Sequence, residues 1–358
     1  MLVNRMAENS ASSEIGLTPR QRTVLRILIQ EYISSATPIG STTLQKIGRL
    51  EFSSATIRNE LALLEELGYL VQPYTSAGRI PTVKGYRYFV EQLMGEGGLT
   101  LPERRMIRHQ FHQIRLNQDQ WMRLTAAVLA HTVPSAALVT SPHATSSRFR
   151  HVDLIPIHAT LCSIILVLQD GSIHQELVSI SSKVSRSAFS RASNKLNSLL
   201  ANCTLRDIQE STNPELADLQ GWQKEMLQCV LQVMHKADRH SISEIYRDGL
   251  VNVLSEPEFD DAEKSRQVVE ILEHQSILET VLLKVLEENG IQIIIGGEGP
   301  HEEIYDVTMV LSPYGIRGKA SGVLGVIGPT RIPYSRAIST VRYVAQLMDG
   351  LIDDVYGA

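Results

Sequence analysis

The sequence predicts an α+β protein of several domains, with a winged helix-turn-helix domain at its N-terminus. Its 358 residues exceed one typical domain, since most domains have about 100–200 residues. Residues 17–94 contain three helix-like segments followed by a hairpin-like segment, which is the element order of a winged helix. A strand-rich stretch at 151–180 is then followed by helical stretches, an order typical of an α+β domain.

The first helix has a clear beginning and end. Thr18-Pro19-Arg20-Gln21 predicts a capping box with proline at the first helical position. Its apolar stripe consists of Val24, Leu25, Leu28 and Tyr32. Thr37-Pro38-Ile39-Gly40 ends this helix, and a short second helix is predicted over residues 41–47.

The third helix is predicted from Ser53-Ser54 to Gly68, because serine caps helix starts and glycine often ends helices. At about 100° per residue its positions divide into two faces. The residues that should face the core are Ile57, Leu61 and Leu64, and those that should point away are Ala55, Asn59 and Ala62. One face of this helix is therefore free for another molecule.

A hairpin is predicted after the third helix. Residues 69–73 are strand-like, residues 75–78 predict a turn, and residues 79–82 return. In a plain hairpin turn Gly78 would supply a positive φ. A fourth helix over residues 83–94 completes the domain.

Beyond residue 94 the chain reads as a glycine-rich linker, residues 95–98, followed by mixed helices and strands. Helices are predicted over residues 102–132, 186–202, 214–237, 262–288 and 335–356. Strands are predicted over residues 136–139, 151–155, 161–168, 173–180, 250–254, 291–295, 307–311 and 322–327. Residues 1–16 are polar and serine-rich, which predicts a disordered tail.

The charge is unevenly distributed. The formal net charge is 34 − 39 = −5, which is unlike that of a protein that coats nucleic acid. Residues 1–16 carry −1, residues 17–94 carry +3 and residues 95–358 carry −7. The predicted winged helix is thus the one net-basic segment.

Several classes of protein are disfavoured by what the sequence lacks. It has no apolar run of the roughly 18–20 residues that span a bilayer, and no signal-peptide core in its first 16 residues. Its three cysteines form no C-x-x-C pair. His109 and His112 are spaced i, i+3 without a third ligand, and Gly296–Gly299 lacks the spacing of a phosphate-binding loop. We therefore expect a cytoplasmic protein without a membrane segment, bound metal, cofactor or catalytic residues.

The candidate functional residues are those that would meet DNA. On the third helix they are Ser54, Ala55, Thr56, Arg58 and Asn59, and on the hairpin Arg79. Arginine can bond guanine or phosphate, asparagine can pair with adenine, and an alanine methyl can contact thymine. Lys46, Arg49, Lys84 and Arg87 are candidates for backbone phosphate contacts. The alternatives are an ordinary solvated helix face for the residues of the third helix, a plain hairpin turn for Arg79, and a solvated surface for each of the last four.

The sequence resembles the HrcA family of heat-inducible transcription repressors. The resemblance lies in several stretches: Tyr32–Ser35, Pro38–Ser41, Ser53–Glu60, Leu64–Leu70, Thr75–Arg87, Pro257–Phe259, Ser312–Gly315 and Gly325–Arg331. The segments 53–60 and 75–82 are specific to the family, because winged helices in general share the pattern without these residues. The resemblance covers nearly the whole chain after residue 16.

That resemblance implies a bacterial repressor that binds an inverted-repeat operator as a homodimer, in front of chaperonin and chaperone operons. It implies three parts: a winged helix at 17–94, a GAF-like α/β domain at 95–147 and 241–358 that includes a linker helix, and an inserted α+β dimerisation domain at 148–240. It also implies a partnership with the GroE chaperonin, which keeps the repressor in its DNA-binding form.

The sequence leaves two other classes of function to consider. A regulator whose GAF-like domain binds a small molecule is the main alternative, since such a ligand could switch DNA binding. An enzyme is disfavoured, because the sequence contains no nucleophile–base pair, no G-x-S-x-G and no H-E-x-x-H motif.

Overall fold

The structure is a computed structural model that describes residues 16–356 with internal gaps. The gaps are residues 96, 114–117, 143–146, 159, 170, 181–183, 212, 220, 240–243, 274, 299–305 and 317–319. Of the tail predicted to be disordered, residues 1–15 lie outside the described part of the chain. Within the described part, no helix is long and apolar enough to cross a membrane.

The N-terminal domain, called the head here (residues 16–95), is a winged helix as the sequence predicts. Its elements are α1 (Pro19–Ser35), α2 (Ser41–Ile47), α3 (Ser54–Glu66), β1 (Leu70–Val71), β2 (Ile80–Pro81) and α4 (Val83–Tyr88), which continues into a π-helical turn, Phe89–Leu93. The capping box is present, since the side chains of Thr18 and Gln21 each accept from the other's backbone N–H. Gly68 adopts a φ of 77° just after α3, as a helix-ending glycine does.

The body (residues 97–142 and 244–356) is built on a five-stranded antiparallel sheet. The strands lie in the order β7 (Ile245–Asp248), β3 (Ala136–Thr140), β10 (Ala320–Pro329), β9 (Val307–Ile316) and β8 (Gln292–Ile295). The helices α6 (Gln118–Thr132) and α14 (Tyr334–Tyr356) cover one face, and α12 (Ala262–Glu273) and α13 (Gln275–Glu287) cover the other. In β3, Ala137 and Val139 enter the first core, whereas Ala136 and Leu138 enter the second. Alternate side chains thus bury both faces of the sheet.

A further unit, called the insert here (residues 147–239), leaves the body between two neighbouring strands. Its three-stranded antiparallel sheet consists of β4 (Phe149–His158), β5 (Leu161–Leu168) and β6 (Ile173–Ser179). Its helices are α7 (Arg186–Leu200), α8 (Leu205–Gln209), α9 (Pro214–Ala217) and α10 (Trp222–Arg239). The buried apolar residues between Phe149 and Met234 form a cluster separate from both cores of the body. The insert therefore folds around its own core.

Some sequence predictions about single elements are wrong. The strand expected at 250–254 is instead a helix, α11 (Leu250–Leu254). Residues two positions apart share one face of a strand, but Val251 is solvent-exposed whereas Val253 is buried. The neighbouring strand is β7. The single helix expected at 102–132 is divided into two, α5 (Leu101–His112) and α6, since Gln113 lies in a turn. The helix expected at 214–237 is likewise divided into α9 and α10.

Candidate nucleic-acid interface

The core of the head fixes which face of α3 is free. Ile57 and Leu64 are fully buried and Leu61 nearly so, against α1 residues that include Val24 and Leu28. On the opposite side Ala55, Arg58, Asn59 and Ala62 are exposed. The faces predicted from helical spacing are therefore those of the structure.

The first turn of α3 is held by serine and threonine side chains. Ser53 caps the helix, since its Oγ accepts from the N–H of Thr56 at 3.1 Å. The Oγ atoms of Ser54 and Ser41 lie 3.1 Å apart and join the starts of α3 and α2. Both Ser54 and Thr56 are half-buried. The hydroxyls of Ser54 and Thr56 thus also order the helix start, since Thr56 Oγ1 lies 2.9 Å from Ser53 Oγ.

Three cations of the predicted set remain exposed on this side of the head. Arg58 on α3 and Lys46 at the end of α2 are exposed, and neither forms an ion pair with any residue in the described ranges. Arg49 is also exposed and adopts a φ of 45°, which turns the chain between α2 and α3. These side chains keep their charge available for phosphate.

The acidic residues of α3 are largely engaged by arginines. Glu60 bonds Arg20 of α1 at 3.4 Å, and Glu65 bonds Arg79 of the hairpin, with 2.8 Å from Arg79 Nε to Glu65 Oε2. Glu66 is exposed. The negative charge that would repel phosphate is thereby reduced along the second half of α3.

The wing is the short hairpin of β1 and β2 with the loop between them, and it is hydrogen-bonded to the rest of the head. Ile39 and Arg79 exchange two backbone hydrogen bonds of 2.9 Å each. The side chain of Gln72 closes the loop by donating to the carbonyls of Thr75 and Ala77. Gly78 does not adopt a positive φ, contrary to the turn interpretation. It is required because its Cα lies against the backbone of Ile39, where a side chain would collide.

Three cations from the predicted set form bonds within the protein: Arg79, Lys84 and Arg87. Arg79 belongs to the ion pair with Glu65. Lys84 donates to the carbonyl of Leu67 at 3.0 Å and lies 4.6 Å from the centre of the Tyr69 ring.

Arg87 points into the body, not toward the free face of α3. It bonds the carboxylate of Glu298 and the carbonyl of Ile293. The bond to Glu298 raises the pKa of Arg87. The structure therefore corrects the reading of Arg87 as a phosphate contact, because its donors are occupied by the body.

Sequence reasoning missed the residues that join head and body. Arg331, Glu256, Glu258 and Glu298 form ion pairs at this junction. Arg331 and Glu258 lie within stretches that carry the family resemblance, which was the one signal in the sequence. No group of histidine, cysteine or acidic side chains suited to a metal is found among the described residues.

Comparison with known proteins agrees with this architecture. Residues 16–94 match a family profile described as the winged helix-turn-helix transcription repressor, HrcA DNA-binding, and residues 119–338 match one described as HrcA protein C terminal domain.

Curated relatives match over nearly the full length. The chain is 43% identical to the heat-inducible transcription repressor HrcA of Roseiflexus castenholzii, over 95% of this chain and 96% of that protein. It is 41% identical to the same repressor of Chloroflexus aurantiacus, over 95% of both chains. A crystal structure of a hypothetical protein superposes with a TM-score of 0.60 at 23% identity, covering 95% of this chain and 99% of the other, and supports the fold alone.

Proposed function

The chain belongs to the HrcA family of heat-inducible transcription repressors, which are regulators and not enzymes, and on that premise we propose that it binds an inverted-repeat operator as a homodimer. The winged helix is its DNA-binding domain. The observation that carries the proposal is the free face of α3, where Ala55, Arg58 and Asn59 are exposed beside a capped helix start. We also propose that it acts in the cytoplasm, where operator DNA lies.

In this proposal the first two turns of α3 enter the major groove. Arg58 and Asn59 carry the side chains that form bidentate bonds with guanine and adenine edges. Ser54, Ala55 and Thr56 lie close to the groove floor, where the Ala55 methyl would contact a thymine methyl. Lys46 and Arg49 would contact phosphates on the flanking backbone. Arg79 and Lys84 support the wing, because their charges are already bonded within the head.

Operator binding by point variants tests this assignment. Arg58→Ala should weaken binding by about 1–3 kcal/mol and relax preference at one base position, as the loss of a bidentate base contact does. Lys46→Gln should weaken binding to every sequence equally and lower the salt slope by about 1, as the loss of one phosphate contact does. Arg266→Gln is the matched control, because Arg266 is an exposed body arginine paired within its own helix.

The proposal fails if wild-type protein, supplied with chaperonin, does not prefer a chaperonin-operon inverted repeat to scrambled DNA. Loss of binding with Arg266→Gln as large as with Arg58→Ala would also contradict the assignment of α3.

The homodimer is proposed to form through the outer face of the insert sheet. One face of this sheet covers the insert core, whereas the other presents Ile155, Ile173 and Leu177, which are 44%, 68% and 63% exposed. Strand register aligns Ile155, Ser163 and Leu177 across the three strands. An exposed apolar sheet face of this kind commonly marks a subunit interface, and a two-fold axis would pair it with itself.

Light scattering tests the dimer. Ile173→Lys with Leu177→Lys should give a monomer with reduced operator affinity, because a charge would be buried on each side of the interface. Val251→Lys is the control, since Val251 is an equally exposed apolar residue on the body. A wild-type monomer, or a double variant that stays dimeric, would contradict this surface.

Tuning by the GroE chaperonin is the third part of the proposal. Free chaperonin would keep the repressor active, and heat stress would divert it to unfolded proteins and so induce the operons. The exposed apolar face of the insert supports this, because an apolar surface that is not yet covered by a second copy favours aggregation during folding. Refolding with and without chaperonin tests it, and an equal yield of operator-binding protein would count against the idea.

A small-molecule sensor remains the second candidate, and one cleft favours it. The cleft has a volume of about 750 Å³ between α6 and β7 and is lined by charged groups that include Arg123, Glu244 and Arg247. Such a lining suits a small polar metabolite. A thermal-shift screen that finds a ligand, together with altered operator affinity, would promote this function.

A further inference from the structure

The head is joined to the body by a buried contact as well as by the chain. Tyr86 of α4 and Tyr334 of α14 are both buried, with ring centres 5.9 Å apart. The hydroxyl of Ser335 donates to the carbonyl of Gly97, in the segment that connects the two parts. Glycine permits many backbone conformations, so the glycine-rich sequence of this segment does not by itself fix the orientation of the head. The orientation of the head must come from side-chain contacts.

Arg331 reaches from the body to the head. Its guanidinium bonds the carboxylates of Glu256 and Glu258, with 2.5 Å from Nε to Glu258 Oε1, and it also donates to the carbonyl of Ile33 at 3.2 Å. Ile33 lies in the last turn of α1, where carbonyls lack partners within the helix. Only 11% of the Arg331 side chain is exposed. The two body carboxylates thus hold Arg331 against the end of α1.

Arg87 makes the reciprocal connection from the head to the body. It forms a two-pronged bond with Glu298, in which Nε lies 3.0 Å from Oε1, and it donates to the carbonyl of Ile293 in β8 at 2.9 Å. A planar guanidinium bonded on two edges resists rotation more than a single point contact does. Each side of the junction therefore contributes one arginine that donates to at least one acceptor of the other side.

We propose that Arg331 and Arg87 are positioning residues that fix the orientation of the head and thereby set the half-site spacing of the operator. This inference rests on the proposed dimeric operator binding. A dimer reads two half-sites whose separation must match the separation of its recognition helices. If both heads are held by these arginines, one added base pair turns a half-site by about 34° away from its helix, at ~10.5 base pairs per turn. The arginines touch no DNA, so they affect spacing and leave base preference unchanged.

A set of operators with spacers changed by one base pair at a time tests the inference in the full-length protein. Wild-type protein should lose about tenfold or more in affinity for each single change, within the roughly 10²–10⁴-fold that joining two binding modules can supply. Arg87→Gln and Arg331→Gln should bind the natural spacing about tenfold more weakly, yet lose less than about threefold on a spacer change, because freed heads can adjust. Scrambling one half-site should cost the variants the same factor as wild type.

Arg266→Gln is again the control, since it removes ion pairs within α12 that do not cross the junction. Glu298→Gln is a gentler variant for the case that Arg331→Gln does not fold, because it keeps the side-chain shape and leaves the bond from Arg87 to Ile293 in place. With this variant, a change of spacer length should cost less operator affinity than it costs wild type, but more than it costs Arg87→Gln.

Three results would overturn the inference: a wild-type protein indifferent to spacing, a folded dimeric Arg87→Gln protein with the wild-type spacing profile, or flattening by Arg266→Gln. Failure of the proposed function is distinguished from these, because wild-type protein would then show no preference for any inverted repeat over scrambled DNA.

Discussion

Replacing Gly78 with alanine should destabilise the head and weaken operator binding. A Cβ at this position would lie 2.4 Å from the carbonyl carbon of Ile39 and 2.6 Å from its N and O atoms. These are backbone atoms, so the collision cannot be relieved by a change of rotamer. The wing must move away from the strand-like segment that contains Ile39.

The cost follows from what that movement breaks. The two backbone hydrogen bonds between Ile39 and Arg79 contribute about 0.5–1.5 kcal/mol each, or about 1–3 kcal/mol together. Ile39 is also a buried core residue, and displacing it by overpacking adds about 1–3 kcal/mol. The expected loss is about 2–6 kcal/mol, a large part of the ~5–15 kcal/mol that stabilises a typical domain.

Amide hydrogen exchange in the full-length protein measures this loss within the head, since unfolding of a multidomain chain need not be two-state. Gly40→Ala is the matched control, because its Cβ would meet no atom within 4 Å. It should cost at most about 1 kcal/mol, from a less favoured N-cap of α2. Equal protection of α1 in the Gly78→Ala protein, the Gly40→Ala protein and wild type would refute the reasoning.

Three more outcomes are expected. Burial raises the pKa of the Cys162 thiol to about 11, so an alkylating reagent at pH 8 should leave it unmodified until the insert unfolds. Asn252→Ala should cost about 1–3 kcal/mol in thermal unfolding, because the amide of Asn252 donates to two backbone carbonyls of the body. The pKa of Glu103 is lowered to about 2 by hydrogen bonds from Thr100 and Arg336, so an NMR titration should find it ionised at pH 3.5. Its stabilising effect is present above the usual glutamate pKa near 4.5 and is lost as the pH falls toward 2.

The head was predictable because its signals are local. The capping box of α1, the serine cap of α3 and the division of α3 into a buried and a free face all depend on residues three or four positions apart. Helix geometry converts such spacing directly into position. The same holds for Gly68, whose positive φ ends a helix and needs no distant partner.

Other elements could not be predicted from the sequence, because their signals are ambiguous over short lengths. The run 250–254 is apolar enough for either a strand or a helix, and contacts decide between them. Asn252 is turned toward carbonyls more than 100 residues earlier in the chain, beside Gly249 at a φ of 74°. No pattern within the run contains that information.

The sequence by itself determined the winged helix, the free face of α3 and the family, because periodicity, caps and characteristic segments act over neighbouring residues. Only the tertiary structure decided which cations stay free. Arg58 is exposed, whereas Arg87 bonds a carboxylate 211 positions away and Arg331 bonds a carbonyl 298 positions away. A long flexible side chain carries the same charge in every environment, and its role depends on the acceptors that folding brings within about 3 Å of it.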